Sequence, residues 1–127
     1  MKGFEFVILG IGALCGAFLR YKIVEYPIVL GGLTLNVLIV NIIGSFLLGV
    51  FSILSITWNL DPKYSFFFAI GFCGSLTTMS SFALEVNNLL DNKQIALAAV
   101  NVFMNVGLSI LSVLGGRVLV SILLYVI

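Results

Sequence analysis

Residues 71–82 read Gly71-Phe72-Cys73-Gly74-Ser75-Leu76-Thr77-Thr78-Met79-Ser80-Ser81-Phe82. They interrupt an apolar run just where a lipid-spanning helix would be expected to continue. Glycine weakens a helix, and Ser and Thr hydroxyls offer the backbone alternative hydrogen bonds. At membrane depth, irregular backbone is tolerated only where protein buries it or where it lines a hydrated path. The stretch therefore predicts a broken membrane helix, and it places function at the break.

Composition agrees with a membrane setting. Of 127 residues, 61% are hydrophobic, 9% are charged and none is His, whereas a soluble domain carries about 25% charged residues. A chain this small cannot bury so much apolar surface in water. The net charge of +1 offers no basic patch for nucleic acid. Cys15 and Cys73 both lie in apolar segments, with no His and no third Cys to complete a metal site, so they read as small packing residues. The apolar run after Lys2 has the start of a signal peptide but no A-x-A cleavage site. With further spans behind it, it reads as a retained helix.

Working outward from the break, the charges divide residues 1–127 into four spans of one domain. Span 1 runs from about Phe4 to Tyr21 and closes at Glu25-Tyr26-Pro27. Span 2 lies within Ile28–Trp58, uncharged throughout and longer than the ~20 residues a bilayer needs, so part of it is expected to tilt or to lie in the interface. After a tight Asp61-Pro62-Lys63 connection, span 3 runs from Tyr64 to about Leu90. Asp91-Asn92-Lys93 then turns the chain into span 4, from Gln94 to about Gly116, with Arg117 and an apolar tail beyond. The expected fold is an all-α, multi-pass protein of the cell membrane with four helices, the third broken.

Orientation is not legible from charge. With four spans, Lys2, Lys63 and Arg117 share one side, and Arg20, Lys22 and Lys93 share the other. Three against three gives the positive-inside rule nothing to act on. Two explanations stand: a noisy count in a short chain, or insertion in both orientations with assembly as an antiparallel dimer. The second would supply from two copies the inverted symmetry that many transporters build into one chain.

Polar residues recur where lipid-facing residues would be apolar. Asn41 lies mid-way along span 2 with Ser45 one turn later. In span 4, Asn101, Asn105, Ser109 and Ser112 follow at intervals of 4, 4 and 3, which forms one stripe on a helix. Such residues act either as glue between helices or as the lining of a conduit; four on one stripe, beside Asn41 and a broken helix, favour the conduit. Gly12 with Gly16, and Gly44 with Gly49, read as close-packing positions. Glu5, Glu25 and Glu85 fall toward span ends, so the mid-membrane acid of a proton-coupled pump is missing. With no nucleophile–base pair, Walker loop or metal cluster, the chain does not read as an enzyme. Amides, hydroxyls and aromatic ring edges suit an anion, while carbonyls exposed by the break suit a cation.

In order and spacing these segments resemble the Fluc family of fluoride channels, also called the CrcB type. Gly10–Tyr21 (GIGALCGAFLRY) is similar to the family's glycine-rich first span ending in Arg-Tyr. Asn41–Gly49 (NIIGSFLLG) is similar to its asparagine motif, Gly71–Phe82 followed by Glu85 to its third-span signature, and Gly115-Gly116-Arg117 to the close of its last span. The resemblance implies passive, selective fluoride export through an antiparallel dual-topology homodimer with two pores around a central structural sodium ion. By position, the backbone carbonyls of Gly74 and Thr77 from both subunits would hold the sodium. Asn41, Met79, Ser80, Ser81, Phe82, Asn101, Asn105 and Ser109 would line the pore, and Arg20 would occupy the vestibule position of the family's first-span arginine. Fluoride, a second copy of the chain and membrane lipid are the partners so implied.

Three residues depart from the family pattern. Met79 stands where a pore phenylalanine is usual and has no aromatic quadrupole. Val37 replaces a threonine often found there, and Asn101 stands where some members carry tyrosine. The alternatives are a subunit whose altered pore needs a paralogous partner, a small four-span dual-topology drug or proton-coupled transporter, and a helix-packing subunit that carries no flux.

Overall fold

Each long helix begins or ends where the chain supplies a cap or a turn. The computed structural model describes residues 2–127. Helix α1 (Gly3–Val24) starts where the Glu5 carboxylate accepts the Lys2 N–H at 2.8 Å, closing the first turn from its own side chain. It ends at Glu25, ahead of Pro27, as expected. Next come two short strands, β1 (Val29–Leu30) and β2 (Leu33–Thr34), paired antiparallel with Leu30 opposite Leu33. Gly31 and Gly32 both have positive φ at the tip (59° and 88°), the conformation that two-residue hairpin turns require. The surplus length expected of span 2 is therefore not a tilted helix: it is this hairpin, and α2 (Asn36–Thr57) begins only after it.

The buried Asn36 ties the region together. Its amide donates to the Ile23 and Tyr26 carbonyls at 2.6 and 2.9 Å and its oxygen accepts the Ile28 N–H at 2.8 Å. Pro62 then opens the third span at the first helical position, with the Asp61 carboxylate capping the Lys63 N–H at 2.9 Å.

Span 3 is built from unlike pieces. A single turn, α3 (Pro62–Tyr64), passes into a π-helical segment, Ser65–Cys73, and then a second turn, α4 (Gly74–Leu76). Thr77 and Thr78 are extended (ψ 155° and 116°), and α5 (Met79–Asp91) resumes the helix. The break is thus narrower than the twelve-residue stretch suggested. Gly71 and Gly74 remain helical, and only the two threonines leave the helix. Phe68 and Phe72, four apart on the π-helical segment, stack at 5.5 Å between ring centroids, and Phe51 of α2 packs on Phe68 at 5.2 Å. Span 4 also differs from expectation. It does not stop near Gly116 but continues as one helix, α6 (Ile95–Val126), through Arg117 and the apolar tail, because no breaker follows the glycine pair.

Among the described residues four helical spans, the third of them broken, are long and apolar enough to cross a membrane, so the protein is an all-α, four-span membrane protein. Its large side chains point outward: Leu14, Phe18 and Phe103 are each more than 60% exposed, whereas full burial of bulk is confined to Val40, Cys73 and Leu76. Backbones meet where glycine permits. A Cβ on Gly12 or Gly16 would overlap the Phe67 or Phe72 carbonyl, and one on Gly49 or Gly116 would overlap the Val113 or Phe46 carbonyl. These glycines are packing positions. Spans 1 and 3 therefore run side by side in the same direction, as do spans 2 and 4.

Candidate functional site

The break is held open by side chains that take over several of the helical hydrogen bonds it loses. In a continuous helix the Thr78 N–H would go to the Gly74 carbonyl. Here it donates to Asn41 Oδ1 at 2.8 Å, and Asn41 Nδ2 returns a bond to the Thr78 carbonyl at 3.3 Å. The Thr77 carbonyl would ordinarily accept from the Ser81 N–H, but Ser81 N–H goes to Thr78 Oγ1 at 3.1 Å as the cap of α5. Arg20 Nη1 takes up the Thr77 carbonyl at 3.2 Å. On the preceding turn, Thr77 places both its N–H and its hydroxyl on the Cys73 carbonyl at 3.0 Å. Asn41 behaves like one residue of a neighbouring strand, and this frees the Gly74 carbonyl from its usual partner.

From Asn41 a chain of side-chain bonds runs to the end of the molecule where the hairpin lies. Asn41 Nδ2 donates to Asn105 Oδ1 at 3.1 Å, and Asn105 donates to Asn101 Oδ1 one turn back. Asn101 Nδ2 reaches Glu85 Oε2 at 3.5 Å, and the Thr34 hydroxyl donates to Glu85 Oε1 at 3.2 Å. Every member uses its neighbour, and among the described residues no buried side-chain polar atom lacks a partner. Asn101 and Asn105 are 5% and 4% exposed, which makes this completeness necessary.

Most of the residues expected to line a pore meet at one groove of about 380 Å³. Asn41, Ser45, Gly74, Thr77, Met79, Phe82, Asn105 and Ser109 line it, with Leu48, Val106 and Ile110 supplying hydrocarbon walls. Met79, at 71% exposure, stands on the rim rather than inside. Ser80 and Ser81 do not line the groove; their hydroxyls lie 3.3 and 3.1 Å from the Thr78 hydroxyl. Asn101 belongs instead to a second, smaller cavity of about 120 Å³ that it shares with Thr34 and Glu85. The predicted stripe on α6 is therefore divided: Asn101 lies in the buried chain, Asn105 joins that chain to the groove, Ser109 stands on the groove wall, and Ser112 lines neither cavity. Val37 is buried, at 6% exposure.

Three participants take roles that the sequence reading did not assign to them. Thr78 is at once cap and strand-like partner, Glu85 joins the amides although it lies toward a span end, and Thr34 reaches it from the hairpin. For Thr78 a signal existed: a threonine directly before the first residue of an amphipathic segment is a preferred N-cap.

Chemically, the site presents two faces. The released Gly74 carbonyl and the Thr77 carbonyl are oxygen donors suited to a hard cation. The opening turn of α5 presents N–H groups that lack intrahelical acceptors, with hydroxyls and the Phe82 ring nearby, and these suit an anion. The family model described as CrcB-like protein, Camphor Resistance (CrcB), matches residues 7–117. The chain belongs to the CrcB-like family. Among CrcB-like relatives, the fluoride-specific ion channel FluC of Nitrosopumilus maritimus is 60% identical across 95% of this chain and 96% of its own length. The protein of the same name from a Sulfurihydrogenibium species is 38% identical across 94% of this chain and 98% of its own. That of Methanocaldococcus jannaschii is also 38% identical, across 91% and 93%. This CrcB-like chain is thus a multi-pass protein of the cell membrane, similar along nearly its whole length to curated ion channels.

Proposed function

We propose that the chain is the subunit of a passive, fluoride-selective channel that lets fluoride leave the cytoplasm, assembled as an antiparallel homodimer. The observation that carries this reading is the unbroken run of polar side chains from Thr34 to Thr78, ending at a groove whose walls combine hydrocarbon with N–H and O–H donors. A small, strongly hydrated anion needs several such donors to replace its water, and it needs no catalytic residue. The even split of cations between the two ends of the bundle supports insertion in either orientation.

A structural sodium ion fits the donor set at the break. The Gly74 carbonyl is released because Asn41 takes the Thr78 N–H, and Gly74 is one of the residues that line the groove. The Thr77 carbonyl already accepts from Arg20 but retains a second lone pair. One subunit offers two such oxygens, so two subunits facing each other would offer four. When bound, the ion would supply fixed positive charge beside the anion path. The residues of this chain do the rest: Asn41 and Thr78 fix the backbone, while Phe82, Asn105 and Ser109 line the way.

Fluoride efflux from liposomes containing the purified chain tests the reading, with a fluoride electrode as readout. Rapid efflux that excludes chloride is expected. Absence of flux from the chain alone and after addition of a paralogous subunit would overturn it, and pH-driven exchange would point to a transporter instead. Met79→Phe should raise the flux, since it adds a ring edge at the rim of the groove. An unchanged rate would show that this position does not limit conduction.

A further inference from the structure

A third cavity lies along the second half of α6, beginning one turn beyond Ile110 of the groove at the break, and the channel reading makes no use of it. It is a groove of about 550 Å³ between α2 and the second half of α6. Its floor is apolar, formed by Ile53, Leu114, Val118 and Ile122. One rail is polar: Arg117, Ser121 and Tyr125 follow at intervals of four, one above another on α6.

The depth of this groove follows from the packing of the two helices. Asn41 meets Asn105, and Gly49 meets Val113, so α2 and α6 run in register with the same direction. At that register Arg117 stands beside Ile53, one turn before α2 ends at Thr57. Trp58, 60% exposed, marks the interface there. Arg117 therefore lies just inside the hydrocarbon boundary, within reach of the headgroup layer. The only ion pairs among the described residues are Lys22–Glu25 and Lys63–Asp61, so the guanidinium has no acidic partner from its own chain. Meanwhile Leu114, Val118 and Ile122 are about half exposed.

A cation without a counter-charge, at headgroup depth, above an open hydrocarbon trough, has the chemistry of a phospholipid site. We propose that this groove binds an anionic phospholipid. Its phosphate lies on Arg117, with Tyr125 donating to a headgroup oxygen and one acyl chain lying along Leu114 and Ile53, while the Ser121 hydroxyl stays on the Arg117 carbonyl at 2.9 Å. Guanidinium suits this role because it can present two parallel N–H bonds to one phosphate. Net headgroup charge, rather than chain length, sets the preference.

Native mass spectrometry of the purified full-length chain, with phosphatidylglycerol or phosphatidylcholine of identical acyl chains added, tests the site. Retention of phosphatidylglycerol should exceed that of phosphatidylcholine by about tenfold, the scale of one charge-assisted contact. Arg117→Gln should bring the ratio close to one, while Arg117→Lys keeps part of it. Equal retention by the unaltered chain, or a preference that survives Arg117→Gln, overturns the proposal. Should Arg117→Gln not fold, a photo-crosslinking residue in place of Ile122, with Arg117 intact, still decides. Adducts to phosphatidylglycerol support the site, whereas adducts to a second copy of the chain show that protein covers this face. Lipid retention is read without ion flux, so it stands or falls separately from conduction.

Discussion

Two seams hold this bundle together, and they work by different physics. Where span 1 meets the first half of span 3, the backbones touch: Gly12 and Gly16 lie against the Phe67 and Phe72 carbonyls, with no side-chain hydrogen bond between the two segments. Where α2 meets α6 and the second half of span 3, amides do the joining, through Asn41, Asn105 and Thr78. Lipid tails are as apolar as leucine, so neither seam is driven by hydrophobic burial of the kind that folds soluble proteins. The dry seam depends on the absence of volume. The polar seam depends on the completeness of a bond set. The first should fail on any added bulk, and the second on any lost donor or acceptor.

The largest effect is expected at the dry seam. Gly16→Leu puts a side chain into the Phe72 backbone and should abolish assembly, read as loss of the monodisperse peak in detergent chromatography together with loss of flux. A well-folded, conducting Gly16→Leu protein would erase the distinction between the seams. At the polar seam, Asn41→Leu leaves the Thr78 N–H, the Thr78 carbonyl and Asn105 Oδ1 without their partner. At about 1–3 kcal/mol for each orphaned group, a loss of at least about 3 kcal/mol is expected in thermal or denaturant unfolding, with flux down tenfold or more. Asn41→Asp keeps the acceptor for Thr78 N–H but not the donors, so it should fall between.

Thr34→Val removes one partner of Glu85 at the exposed end of the chain of bonds and should cost only about 1 kcal/mol, with flux changed a few-fold. The smallest effect sharpens the contrast among glycines. Nothing lies within 4 Å of a Cβ placed on Gly115, so Gly115→Ala should be neutral or add up to about 1 kcal/mol, although its neighbour Gly116 admits no such change.

Much of the fold can be read from the chain because its signals are local. The Asp61-Pro62 cap, the stop before Pro27 and the turn at Asp91-Asn92-Lys93 depend on adjacent residues alone. Gly31-Gly32 was equally local but was hidden by its surroundings, since Ile28–Leu33 is as apolar as a span and reads as one. The position of the break was less accessible. Glycines drew attention to residues 71–74, yet both stay helical, and the backbone departs at Thr77–Thr78 because Asn41, 37 residues earlier, can pair there. Likewise the stripe on α6 is plain from spacing, but its division between a buried chain and an open wall depends on which helix faces it. Contacts between distant residues decided the site, and periodicity along one helix does not contain them.

Cysteine gives the broken span a built-in reporter. Cys15 is exposed on α1, while Cys73 is 1% exposed and its carbonyl carries both bonds from Thr77. A thiol reagent that partitions into lipid should label the first more readily than the second. It should reach the second only when the packing around Cys73 opens, so the slow labelling rate of the unaltered protein measures local opening of the third span.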